Sequence, residues 1–118
     1  MADEFVVRGR VLLPPGEWPA HAARVITRAE DAARADAPAV VIAEAVRAAV
    51  VRPGGDGSMP FEIRLPAEAA GRCTLRFHVD VTGSGGVTAG DFVSTRAYPV
   101  SAFSSASSNL EVPLHRVE

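Results

Sequence analysis

In CTLRFHVDV, residues Cys73–Val81, apolar and polar side chains alternate without a break. Cys73, Leu75, Phe77, Val79 and Val81 take one side, and Thr74, Arg76, His78 and Asp80 the other. Successive side chains of a strand point to opposite faces, so this period of two predicts a half-buried β-strand whose outer face is polar and solvated. Working outward, Phe61, Ile63 and Leu65 alternate with Glu62 and Arg64 in the same way. Leu110, Val112 and Leu114 repeat the pattern, and Pro113 between them lacks a ladder donor, which predicts an edge position. Phe5–Leu13 is a β-branched run closed by the turn residues Pro14-Pro15-Gly16, and Arg24–Ala29 and Phe92–Val100 complete the set. Pro53–Gly57, Gly83–Gly90 and the serine-rich Ser101–Asn109 fall between these runs as turns and loops. Seven short strands at this spacing predict one all-β domain over residues 1–118. The expected architecture is a β-sandwich of seven or eight mainly antiparallel strands, immunoglobulin-like or transthyretin-like.

Residues 29–51 set propensity against pattern. Their alanine, glutamate and arginine content favours helix, whereas Pro38 disfavours a helical Ala37 and Val40-Val41-Ile42 is a β-branched cluster. The reading adopted is a connecting loop over Ala29–Ala37 and a strand over Ala39–Val51. That strand is long, weakly charged and without internal proline, so it is expected to be a sheet edge used for pairing, in a homodimer or with another protein.

The composition excludes several chemistries. At 118 residues the chain has the size of one domain with a core of its own, and 47% of it is apolar. All twelve cations are arginine, which removes Schiff-base lysines and a Walker lysine. A formal charge of −2 argues against a nucleic-acid partner. The single cysteine, Cys73, forms neither an intramolecular disulfide nor a CxxC pair. No run approaches the roughly 18 apolar residues of a membrane span. MADEFVVRGR carries acids where an export signal carries bases, so a cytoplasmic location is expected as written. Removal of an export signal would change that to the periplasm or cell surface.

Candidate constellations are sparse. Cys73 shares the apolar face with Leu75 and Phe77, opposite to His78, so it reads as a buried structural thiol. His21, His78 and His115 lack any short ligand spacing. Asp80, Asp91 and His78 are acid–base side chains and Ser94 a hydroxyl, yet no GxSxG elbow is present. The glycines of GSGGVTAG (Gly83–Gly90) precede neither a helix nor a lysine and read as a hairpin connection. Trp18 is either an exposed aromatic anchor or a plug over one end of the sandwich.

Four pieces in order carry a resemblance. They are Leu13-Pro14-Pro15-Gly16, then Arg34–Glu44 (RADAPAVVIAE), Pro60-Phe61-Glu62-Ile63, and Thr95–Val100 (TRAYPV). Their order and spacing resemble the YbaY-type lipoproteins of bacteria across residues 6–117, a family related to the YscW-type lipoprotein chaperones (pilotins) of type III secretion. The resemblance implies a β-sandwich with an accessory, chaperone-like role and no active site to carry over. The lipidated cysteine of those lipoproteins has no counterpart here, because Cys73 lies within a strand.

The functional expectation is a non-catalytic domain that binds a protein partner or itself, with no catalytic, cofactor-binding or metal-ligating residues. Trp18, Tyr98, Val40 and Ile42 are the expected contacts. The alternative is a small-ligand or glycan-binding sandwich using the loops at one end, with Trp18 and Tyr98 lining the site.

Overall fold

The computed structural model describes residues 4–15, 23–31, 40–49, 57–66, 73–83, 86–96, 98–99 and 110–118. Within them lie nine strands: β1 (Glu4–Leu12), β2 (Ala23–Asp31), β3 (Val40–Ala49), β4 (Ser58–Pro66), β5 (Cys73–Asp80), β6 (Phe92–Val93), β7 (Tyr98–Pro99), β8 (Leu110–Pro113) and β9 (His115–Arg116). They form two sheets, one ordered β4-β1-β8 and the other β3-β2-β5-β6-β9, with β7 also pairing β5. All pairings are antiparallel except β1 with β8. The fold class is the expected all-β pair of packed sheets.

Alternation builds the core. Val7 and Val11 of β1 meet Ile63 and Met59 of β4 in register, and Val112 of β8 lies beside Val11. All five are buried, as are Val25 and Ala29 of β2 and Leu75, Phe77 and Val79 of β5 on the facing sheet. Phe61 and Phe77 join the two sheets edge to face, with ring centroids 4.6 Å apart. Edge-to-face pairs of this kind add about 1 kcal/mol to the apolar area they bury. Gly9 is set by a close approach: a Cβ there would lie 2.0 Å from the Leu110 carbonyl oxygen. Only glycine lets β1 and β8 run side by side at that point.

Three expectations need correction. Ala29–Asp31 is strand rather than loop, because these residues pair with β3 on one side and β5 on the other. Two-sided pairing overrides weak local propensity. The single strand expected over Phe92–Val100 is two short ones. From Val93 to Tyr98 the chain spends five steps while β5 spends three, from His78 to Leu75. At the break, the Phe77 amide donates to the Ser94 hydroxyl (3.0 Å) and the Ser94 amide donates to the Phe77 carbonyl (3.0 Å). A side chain thus takes over a ladder acceptor, and the backbone leaves the regular pairing. The third correction concerns His78 and Asp80, which lie on the outer face as the alternation requires yet are buried, at 6% and 1% exposure. The connection after β5 folds back over that face.

Candidate functional site

The connection from β5 to β6 is tied down by two aspartates. Asp80 Oδ1 accepts from the Gly83 amide at 2.9 Å, closing a tight turn in which Gly83 has φ of +80°. Asp91 closes the other end and is fully buried. Its Oδ1 accepts from the Val81 amide (2.9 Å). Its Oδ2 accepts from the Thr88 amide (3.1 Å), the Thr88 hydroxyl (3.3 Å) and His78 Nε2 (2.9 Å). The expected hairpin connection is present, and it is stapled from within.

Electrostatics follow from those contacts. Burial alone would push the Asp91 carboxyl up. The hydrogen bond from His78, the Val81 and Thr88 amides and the His78 charge outweigh it, and the group is held below the ordinary carboxylate value. Asp91 is therefore an acceptor, which places a proton on His78 Nε2; Nδ1 is the second polar atom of the ring, a lone-pair acceptor when the ring is neutral. Nδ1 is buried and has no hydrogen-bond partner among the described residues.

His78, Asp80 and Asp91 offer ligand atoms all within 4.8 Å of one another. Four protein donors already reach the Asp91 carboxylate, three at Oδ2 and one at Oδ1. The arrangement satisfies loop amides and a histidine, and a cation would have to displace them. As a catalytic constellation it is also incomplete. Ser94 lines the same cleft as His78, but its hydroxyl is engaged by the Phe77 amide and not by His78 Nδ1.

A cleft of about 210 Å³ opens beside His78 on the outer face of the larger sheet. Register explains its apolar wall: Ile26, His78 and Val93 form one row across β2, β5 and β6, and Val46 of β3 continues that row beyond the lining. Ile26 is 5% exposed on this outer face, and Val87 of the connection, 56% exposed, joins the cleft lining. The neighbouring row is charged. Arg28 is held by Glu44 (2.6 Å), and Arg76 by Glu30 (2.8 Å). The sequence contained a signal for this covered patch: Val25-Ile26 puts two apolar residues on opposite faces of one strand.

The second feature is the free edge of β3, which ends its sheet among the described strands. Val40, Val41 and Val46 are 65%, 49% and 52% exposed. Ala29 pairs Ala43 while Glu30 pairs Val41, so Ile42 is the extra residue of a β-bulge. Ile42 is half-buried and packs against the core, in contrast to Val40.

The remaining singled-out residues separate. Tyr98 is half-buried, its ring packs edge to face on Phe77 at 5.8 Å, and its hydroxyl is buried without a partner among the described residues. It is tied to the core instead of standing free. Trp18 and His21 lie outside the described residues. Cys73 is buried in the core as expected, and burial, then the charge of Asp31, push its thiol up. Among the described residues no helix is long and apolar enough to cross a membrane.

Comparison with known proteins places the architecture. No protein-family model and no curated protein matches the chain. A solved structure of an alternative pilotin from the type II secretion system of Vibrio cholerae is similar, with a TM-score of 0.71 and 21% identity over 98% of this chain and 99% of that one. At that identity the match is one of fold: this chain has the fold of a pilotin.

Proposed function

We propose that this protein is a non-catalytic, chaperone-like binding domain that takes an extended segment of a partner protein onto the free edge of β3. The observation that carries the reading is how differently the sheet edges are guarded. Unpaired strand edges invite pairing, and proline, charge or shortness normally blunts them. In the smaller sheet the two edge strands carry Pro60 and Pro113, and β9 has two residues. β3 has ten residues, no proline, and only Glu44 and Arg47 as charges, with Glu44 drawn inward by Arg28. Its bulge at Ile42 twists one end away, leaving Ala43–Ala49 as the regular run. Backbone pairing there supplies affinity, and the outward Val46 supplies an apolar contact.

The shared fold with a secretion-system pilotin supports an accessory role on a protein partner. The order of the four sequence pieces supports the finer YbaY-type relationship, and an exported location goes with it. Photo-crosslinking tests the reading: p-benzoyl-phenylalanine replaces Val41 or Val46, with Arg64 on the opposite sheet as control. Adducts to one partner protein from positions 41 and 46, and none from 64, are expected. Adducts only between copies of this chain would replace the partner with a homodimer. Equal yields at all three positions would sink the edge assignment.

A further inference from the structure

We propose that the outer-face cleft beside His78 binds a small aromatic ring carrying one N–H or O–H donor, of the phenol or indole class. The cleft lies over β2, β5 and β6, away from the β3 edge, so this site stands or falls independently of the partner-binding reading.

Its size is the first argument. At about 210 Å³ it falls below the roughly 300 Å³ at which sites for drug-sized ligands begin, and suits a single ring. The lining is the second. Ile26, Val87 and Val93 supply apolar wall, while Arg28 and Arg76 stand at the lining with their guanidinium groups held in place by Glu44 and Glu30. Planar guanidinium groups fixed in this way stack on aromatic faces. The third argument is His78. Asp91 fixes one edge of its ring, and the opposite nitrogen, Nδ1, is buried with no hydrogen-bond partner among the described residues. A ring nitrogen buried without a partner is costly, and in the neutral ring a ligand donor would relieve that. His78 lines the cleft, whereas Asp91, which holds its Nε2, does not. Exposure of Val87 at 56% has the same explanation, since an apolar side chain at a cleft mouth is covered when a ring enters.

Nuclear magnetic resonance of the whole chain tests this, with p-cresol and indole as probes and toluene as the ring without a donor. Saturable shifts of the Val87 and Val93 methyls, together with a shift of the His78 Nδ1 resonance, are expected for p-cresol and indole. Toluene should bind about tenfold more weakly, the worth of one net hydrogen bond, and leave Nδ1 unmoved. Val87→Trp, at an exposed loop position, should fill the cleft and abolish the shifts while the remaining spectrum stays folded. An acetylated Gly-Tyr-Gly amide separates the sources: binding equal to p-cresol means a tyrosine of a partner chain can enter, and loss of binding means a free small molecule. Unmoved shifts up to the solubility of both probes would overturn the proposal. So would toluene binding as tightly as p-cresol, or shifts that persist in Val87→Trp.

Discussion

At the scale of single residues, Asp91 does the most with one side chain. It satisfies two backbone amides, a hydroxyl and a histidine while fully buried. Asp91→Ala leaves those donors unpaired and is expected to cost about 3 kcal/mol, read as a lowered urea midpoint. The pH dependence has a definite sign. The folded carboxyl titrates below its unfolded value of ~3.9, so on acidification the unfolded chain takes up the proton first. The Asp91 contribution is complete above that range and is lost as pH falls through the lower folded value. Asp91→Asn should flatten this part of the stability profile, and an unchanged profile would remove Asp91 as its source. Cys73 behaves oppositely, since its thiol is pushed up and shielded. The native protein should resist thiol reagents, and Cys73→Ala should cost about 1 kcal/mol. Rapid labelling under native conditions would show that the site opens.

Among the elements, the two least ordinary are the parallel β1–β8 pair and the β3 edge. Gly9→Ala drives a Cβ into the Leu110 carbonyl, where backbone cannot yield as a side chain would. It should destabilise by about 2 kcal/mol and, on amide exchange, loosen Leu110–Pro113 before the larger sheet. Uniform loosening of both sheets would argue that β8 is not a separable unit. For β3, Val46→Lys places a charge in the regular run of the edge, and should leave thermal stability within about 0.5 kcal/mol because the side chain is half exposed. Amides of Ala43–Ala49 that face away from β2 should exchange quickly in the free protein and slow on partner binding. Slow exchange there in dilute free protein would mean the edge is already covered.

For the whole molecule, stability depends on the contact between the sheets, where Phe61 and Phe77 meet. Phe61→Ala should cost about 3–5 kcal/mol, seen as a large fall in the denaturant midpoint, while the far-ultraviolet spectrum of any folded fraction stays β-type. Much of this architecture was legible because a period of two is a local property. Cys73–Asp80, Ser58–Pro66 and Leu110–Pro113 each carry their own inward and outward faces, and Pro113 marked its edge. The burial of Cys73 followed from its place in the alternation. Other features are decided only when distant segments meet. Ala29–Asp31 became strand because two neighbours pair with it, and Ser94 broke Phe92–Val100 by bonding to Phe77. His78 and Asp80 sat on a face that alternation could label outward but could not label solvated, since a loop thirteen residues beyond His78 returns Asp91 to cover it. The sequence by itself determined which side of each strand faces the core, because side-chain direction is set by the local backbone. Only the tertiary structure decided what covers the other side, because that depends on chain returning from far along the sequence.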